Sequence, residues 1–163
     1  MKNKNKKEID YTKSFLIVLT FMFLLNAGTI YMYNSILQDQ SLLVSNYYNN
    51  KANKNIDEDI TRVVGDYCMV YKTNLSRVKC VNDFVVETGV YNYTSTPFVV
   101  LSDQLMETGG DCKSWTTFYK GVFNYMGIHS NLIYSTNHVY LNVFDDTFYC
   151  NVDQESIDCN KFN

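Results

Sequence analysis

A long apolar run begins at residue 15 and determines where the rest of the chain can fold. Phe15 to Leu25 is interrupted only by Thr20, and weaker apolar residues continue to Tyr33. As a helix these 19 residues would measure about 28 Å, close to the hydrocarbon core of a bilayer. A cleaved signal peptide, with Ala27 near the cut, is the alternative. An uncleaved anchor is favoured, because Tyr31 and Tyr33 are typical of an interfacial aromatic belt.

Charge and composition predict how the chain is divided. Five lysines among the first fourteen residues predict a cytoplasmic basic tail over 1–14, and the anchor follows over 15–33. Residues 34–56 are rich in Asn, Gln and Ser, which is typical of a stalk or linker, although they can also extend the helix. The folded domain is then expected over 57–163, outside the cytoplasm, on a single-pass membrane protein.

The remaining composition excludes several classes of function. The net charge is −3, the first fourteen residues contribute +3, and the remainder therefore carries −6. An acidic body makes nucleic acid an unfavourable partner. No cofactor motif is present, and the cysteines and histidines form no close pair of the kind that binds a metal. The sequence therefore predicts no cofactor and no metal site.

The domain begins with helical patterns. The first starts at Asp57, and its apolar residues recur at spacings of three and four: Ile60, Val63, Val64 and Tyr67. The second runs from Leu75 to Val86, ends at Gly89 and turns three valines inward: Val78, Val81 and Val85. A short extended segment follows over 90–93, and the pattern over 99–106 predicts one or two further helical turns.

The sequence Gly109-Gly110-Asp111-Cys112 precedes the strongest amphipathic pattern in the chain. Its apolar positions all fall on one helical face: Trp115, Phe118, Tyr119, Val122, Phe123 and Met126. Asp111 is a natural N-cap, and Gly127 is expected just after the last helical residue. The pattern therefore predicts Cys112 in the first turn of a largely buried helix.

After Gly127 the apolar period changes from 3.6 to 2, which predicts three strands over 128–134, 138–144 and 148–153. His138, Tyr140 and Asn142 share one face of the second strand, and Asp153 ends the third. The tail beyond Asp153 is short and polar. Helices followed by an antiparallel meander indicate an α+β domain.

These positions suit nucleophilic catalysis. Cys112 at a helix N-terminus is a candidate nucleophile, because the thiolate is the reactive form and a helix N-terminus favours it. His138 is the candidate base, since its face of the strand is polar, whereas His129 is expected to be exposed. Asp153 on the adjoining strand would orient the imidazole. The alternative without catalysis is that Cys112 is a buried, inert thiol and that His138 is a strand histidine whose hydrogen bonds are satisfied within the fold.

Three stretches together resemble the transglutaminase-like superfamily of papain-like cysteine enzymes. They are Gly109 to Cys112 opening a helix that ends in Met126-Gly127-Ile128, Asn137 to Val143, and Tyr149 to Asp153. The resemblance covers about 57–154 and implies a papain-like core, in which the nucleophile begins a helix packed on a small antiparallel sheet. It also implies Cys112 as nucleophile, His138 as general base and Asp153 as orienter, with the Cys112 backbone N–H in the oxyanion hole.

The chain also departs from that family. The interval between Cys112 and His138 is short for it, which predicts a compact, open cleft. The family often has a small residue three or four positions after the cysteine, where this chain has Trp115 and Thr116. Gln104 is a candidate side-chain donor for the oxyanion hole, although a surface position is favoured for it.

The odd number of cysteines fits this assignment. In an oxidising compartment five cysteines give two bridges and one free thiol. If Cys112 is the free one, the other four allow three pairings, and proximity in sequence favours Cys68 with Cys80 and Cys150 with Cys159.

Three functions follow as hypotheses. The first is a membrane-anchored enzyme that cleaves or transfers peptide or isopeptide bonds of a peptide or protein substrate, with hydrolysis favoured because an open cleft excludes water poorly. The second is a catalytically silent domain of the same fold that binds a partner at the cell envelope. The third is a thiol-redox protein, which would need a second cysteine beside Cys112, and none is close in sequence.

Overall fold

The computed structural model describes residues 4–93, 98–135, 138–154 and 156–162. They form helices α1 Lys4–Asn55, α2 Asp59–Met69, α3 Asn74–Thr88, α4 Ser102–Thr108 and α5 Cys112–Tyr125. The strands are β1 Ser130–Tyr134, β2 Val139–Asp145, β3 Phe148–Val152 and β4 Ile157–Lys161. This arrangement confirms the predicted α+β class. Residues 1–3 of the predicted basic tail and Asn137 of the motif lie outside the described residues.

The chain divides into two compact units, Met1–Val44 and Ser45–Asn163. The first is the greater part of α1, whose apolar side chains are exposed throughout the predicted span. Polar side chains in the predicted span donate to carbonyls of the helix itself: Thr20 Oγ1 to Leu16 at 2.8 Å, Asn26 Nδ2 to Met22 at 3.0 Å and Thr29 Oγ1 to Asn26 at 2.8 Å, as suits apolar surroundings. Among the described residues, this one N-terminal helix is long and apolar enough to cross a membrane.

The second unit starts with the C-terminal part of α1, residues 45–55, within the stretch expected to be a linker. Tyr48, Ala52 and Asn55 lie at spacings of four and three, on one face of the helix, and all three are buried. The helix approaches α5 closely at Gly121, where an added Cβ would lie 2.9 Å from Asn55 Cβ. These residues therefore fold as part of the domain, because glycine at position 121 lets the backbone of α1 at Ala52 and Asn55 come close to α5.

Helices α2 and α3 lie in the stretches predicted to be helical and are joined by the Cys68–Cys80 disulfide. The predicted valines of α3 are completely buried. The predicted face of α2 is wrong in part, since Val63 and Tyr67 are exposed. The helix instead turns Cys68 inward and brings Gly65 against the Tyr125 ring, so the disulfide and this close approach decide which face is buried.

Helix α5 is the central element of the domain, and its predicted apolar face is buried. Asp111 caps its N-terminus by accepting hydrogen bonds from the backbone N–H groups of Lys113 and Ser114. Gly127 follows its last turn with a φ of 71°, in the left-handed region that favours glycine. Both predicted ends of the helix are confirmed.

The four strands form one antiparallel sheet in the order β1-β2-β3-β4. The buried face of β2 carries Val139, Leu141 and Val143, as the alternation in the sequence predicted. The sequence did not predict β4, because its residues are mostly polar and exposed. It pairs with β3 in a register that places Cys150 opposite Cys159, and the two cysteines form the second disulfide.

Candidate active site

Two glycines and a capping aspartate place Cys112 at the start of α5. Gly109 has a φ of 71°, and a Cβ there would lie 2.6 Å from the Val90 carbonyl. A Cβ on Gly110 would overlap the side chain of Leu105. The Asp111 carboxylate then accepts from the N–H groups of Lys113 at 3.1 Å and Ser114 at 3.2 Å. The turn between α4 and α5 therefore has a specific steric or hydrogen-bonding reason for each of its residues, Gly109, Gly110 and Asp111.

The extended segment after α3 runs alongside this turn. Gly110 N donates to the Val90 carbonyl at 3.0 Å, and Asn92 N donates to the Gly110 carbonyl at 2.9 Å. Trp115 Nε1 donates to the same Val90 carbonyl at 3.2 Å. These bonds fix Tyr91 next to the turn that carries Cys112.

A cavity of about 220 Å³ lies at this point, lined by Tyr91, Cys112, His138, Asp153 and Gln154. It brings together the three residues that the sequence predicted as nucleophile, base and orienter. Cys112 is partly exposed and lies outside both disulfides. A larger hollow along residues 16–24 is lined by apolar side chains and Thr20, which offer no nucleophile, acid or base.

His138 faces Asp153 across the cavity. The distance from His138 Nε2 to Asp153 Oδ2 is 3.7 Å, within ion-pair range but longer than a hydrogen bond. Their side chains are 44% and 31% exposed, so both are accessible from the cavity. Tyr140 stacks against the imidazole with ring centroids 6.1 Å apart, which restricts the plane of the ring. In this pair Nε2 is the ring nitrogen that faces the carboxylate, and Nδ1 is the other nitrogen of the ring.

The turn between β3 and β4 holds Asp153. Asp153 N donates to the Ser156 carbonyl at 3.0 Å, and Ser156 N donates to Asp153 Oδ1 at 2.9 Å. The Cys150–Cys159 disulfide closes the two strands that lead into this turn. Asp153 therefore lies on a short, cross-linked hairpin, with one carboxylate oxygen in the turn and the other toward His138.

A buried tyrosine, Tyr119, contacts the turn that holds Asp153. The Tyr119 hydroxyl lies 3.2 Å from the Asp153 carbonyl and 3.1 Å from Asn82 Oδ1. Burial raises the pKa of Tyr119, and the negative charge of Asp153 acts in the same direction. The hydroxyl therefore stays protonated, and its one proton is shared between these two oxygens, which links α3 and α5 to Asp153.

Tyr91 is next to the Cys112 backbone. Burial raises the pKa of Tyr91, as do the negative potentials of Cys112 and Asp111, whereas Lys113 and a hydrogen bond from the Cys112 backbone lower it. The tyrosine oxygen thus lies beside the N–H group that would face a substrate carbonyl. At neutral pH its hydroxyl is protonated and can donate a hydrogen bond.

Sequence reasoning missed Tyr91, Gln154 and the supporting role of Tyr119. Tyr91 gave a weak signal, as a tyrosine in a short extended segment just before the Gly-Gly turn. Tyr119 fitted the apolar face of α5 and was therefore interpreted only as core. Gln104 is exposed on α4 and does not line the cavity, and His129 is exposed as predicted.

Within the described part of the chain, no group of three or more His, Cys, Asp or Glu residues could hold a metal ion. Comparison with protein-family models, with curated proteins and with solved structures found no match for this chain. The chemistry of the cavity residues is therefore the basis on which a function can be argued.

Proposed function

We propose that the domain has a transglutaminase-like, papain-like core and is a cysteine enzyme that transfers acyl groups through Cys112, His138 and Asp153. The observation that carries this proposal is that a thiol outside both disulfides, an imidazole and a carboxylate line one small cavity. They come from three separate elements, the start of α5, the start of β2 and the end of β3. A thiol, a base and an orienting group are the set that nucleophilic catalysis requires.

The steps follow from the positions of these groups. Cys112 Sγ attacks the carbonyl carbon of an amide, and its proton goes to Nδ1 of His138. The imidazolium, held by Asp153 on its Nε2 side, returns the proton to the leaving nitrogen, and an amine departs. Water then attacks the acyl-enzyme while His138 takes up a proton from it, the carbon–sulfur bond breaks to release a carboxylic acid, and His138 returns the proton to the departing Cys112 sulfur, which restores the thiol and the neutral imidazole. The 3.7 Å separation of His138 and Asp153 is expected to shorten when substrate excludes water.

The oxyanion of the tetrahedral intermediate needs donors at the start of α5. The backbone N–H of Cys112 is one, once the oxyanion replaces the Tyr91 oxygen as its acceptor, and we assign the other to the Tyr91 hydroxyl, which lies beside it. Gln104, the candidate from sequence, is exposed and outside the cavity. Removal of one oxyanion donor lowers kcat by about 10²- to 10³-fold in well-studied enzymes.

We further propose that this domain lies outside the cytoplasm on an uncleaved anchor. The basic N-terminal tail favours a cytoplasmic N-terminus. Two disulfides support an oxidising compartment for the domain. The substrate is then a peptide or protein at the cell envelope, and the open cavity, which admits water, favours hydrolysis over transfer to an amine.

The test uses the full chain in detergent, with envelope-derived peptides and methylamine, and mass spectrometry to detect hydrolysis or amine incorporation. Cys112→Ser and His138→Gln are each expected to reduce the rate by about 10³-fold or more. His129→Gln is the matched control, because it removes the other histidine, which is exposed and outside the cavity. Equal turnover by wild type and Cys112→Ser, or an equal loss in the two histidine variants, would contradict the proposal.

The silent binding domain predicts a different result. It requires that wild type and Cys112→Ser modify no peptide and bind the same partner equally well. The exposure of His138 in the cavity and the free state of Cys112 favour the enzyme, because a silent domain has no need of either.

A further inference from the structure

Gln154 is the one cavity residue for which the proposed chemistry has no use. It follows Asp153 in the turn between β3 and β4 and lines the cavity with Cys112 and His138. Its Oε1 atom is buried and has no hydrogen-bond partner among the described residues. Buried amide oxygens are nearly always paired in folded proteins, so this acceptor calls for a specific explanation.

Buried polar atoms without a hydrogen-bond partner also occur elsewhere in the domain, but they do not indicate a ligand site. Three other buried side-chain atoms lack a partner within the described residues, and none belongs to a residue that lines the cavity: Asn55 Nδ2, Ser130 Oγ and Tyr134 Oη. Gln154 alone among these four residues combines an unpaired polar atom with a position in the lining of the cavity that holds Cys112 and His138. An acceptor in that position is available to a ligand.

Hydrogen bonds and a disulfide flank the position of Gln154. The hydrogen bonds between Asp153 and Ser156 close the turn, and the Cys150–Cys159 disulfide joins the strands below it. The terminal torsion of a glutamine side chain is soft, so Oε1 can turn to the cavity surface without moving the backbone. The amide is therefore held near the reaction centre while it keeps freedom to meet a donor.

An amide oxygen accepts hydrogen bonds, so its partner in a bound complex must carry an N–H or O–H group. An amide or peptide substrate supplies an N–H group next to the carbonyl that Cys112 would attack, whereas the corresponding ester does not. A site that is built to bond an N–H group rejects an analogue that lacks it, because its own polar atom is then left unpaired.

We propose that Gln154 Oε1 accepts a hydrogen bond from the N–H group of the acyl substrate, and that the site thereby selects amides over esters. This inference rests on the proposed function only for the identity of the attacked carbonyl. Gln154 is then a specificity-determining residue that touches the substrate and takes no part in the proton transfers.

The test measures alkylation of Cys112, so it does not require turnover. The full chain in detergent is treated with iodoacetamide or with methyl iodoacetate, and mass spectrometry follows the rate of each. In both reactions the Cys112 thiolate displaces iodide and forms a carbon–sulfur bond, but only iodoacetamide carries N–H groups. Gln154→Met is expected to lower the amide-to-ester rate ratio by about five- to tenfold, the effect of one lost hydrogen bond.

Two variants make the result specific. Gln154→Glu keeps an acceptor oxygen at the same reach and should hold the rate ratio within about twofold of wild type. Gln104→Met makes the same substitution on the exposed face of α4 and should leave the ratio unchanged. A ratio unchanged in Gln154→Met, or an equal slowing of both reagents as a purely structural role would produce, would overturn the inference.

The two proposals can fail separately. A chain that hydrolyses no peptide can still show the amide preference, because alkylation needs only the thiol and the acceptor. Conversely, hydrolysis that depends on Cys112 and His138 but an amide-to-ester ratio that ignores Gln154 would leave the enzyme standing and remove this residue from its specificity.

Discussion

The two parts of helix α1 relate hydrophobicity to burial in opposite ways. Residues 14–44 are largely apolar and exposed, and Phe23 for example is 74% exposed. Residues 45–55 are mostly polar, yet Asn55 and Ala52 are 0% exposed. Composition predicts the surroundings of the first part as a membrane span, but it would assign the second part to an exposed linker. In the second part, burial depends on which side chains share the helix face that packs on the domain.

The physical reason lies in what each part can contact. Residues 15–33 carry apolar side chains on all sides of the helix, and by length and composition this part of α1 is able to cross a membrane. Residues 45–55 instead have protein partners: Tyr48 stacks on Tyr134 with ring centroids 5.6 Å apart, and Asn55 Oδ1 accepts from Ser102 N at 3.2 Å. The first part is therefore expected to anchor the chain in a membrane, and the second to be part of the folded domain.

Truncation of the chain is expected to give the largest effect, because it removes the second part of α1 completely. A chain that starts at residue 45 keeps all the buried contacts of the helix and is expected to unfold in one cooperative thermal transition by circular dichroism. A chain that starts at residue 57 loses Tyr48, Ala52 and Asn55 and uncovers α5 at Gly121. The loss should be comparable with the whole stability of an ordinary domain, about 5–15 kcal/mol, so no cooperative transition is expected.

The shorter chain also tests the linker interpretation directly. If residues 57–163 unfold at the same temperature as residues 45–163, the helical segment is a dispensable stalk, as its composition suggested. Formation of both disulfides is followed by mass spectrometry, so that a failure to oxidise is not mistaken for a loss of helix packing.

A single side chain gives a smaller and more specific effect. Tyr48→Ala removes a buried ring and leaves its partner Tyr134 uncovered, so the free energy of unfolding should fall by about 3 kcal/mol. Leu43→Ala removes a side chain that is 69% exposed, and its effect should stay within about 0.5 kcal/mol. Urea unfolding of a chain that starts at residue 34 measures both variants. Equal losses would remove the distinction between the two parts of the helix.

The difference between local requirements and contacts with distant residues explains how much of the molecule could be predicted from its sequence. Asp111 and Gly127 were predictable because a cap and a left-handed glycine are local requirements, set by neighbouring residues. The buried face of α5 and the valines of α3 were predictable because one periodic pattern matched one continuous core. Cys112, His138 and Asp153 followed from such elements in order along the chain.

Features that depend on distant partners were not predictable in this way. Strand β4 carries no apolar alternation, and its register is fixed by β3 and the disulfide at Cys159. Tyr91 enters the cavity only because its segment pairs with Gly110, nineteen positions later in the sequence. Gln154 becomes conspicuous only when its oxygen is seen to lack a partner.

The smallest predicted effect compares two helical glycines. An added Cβ at Gly121 would lie 2.9 Å from Asn55 Cβ and 3.2 Å from the Ala52 carbonyl, whereas one at Gly28 would meet nothing within 4 Å. Gly121→Ala therefore forces the C-terminal part of α1 away from α5, which should cost more than the roughly 1 kcal/mol that alanine gains in helix propensity. We expect a net loss of about 1–2 kcal/mol in urea unfolding of the full chain in detergent. Gly28→Ala should leave that transition unchanged, and stabilisation by Gly121→Ala would show that the two helices do not approach closely there.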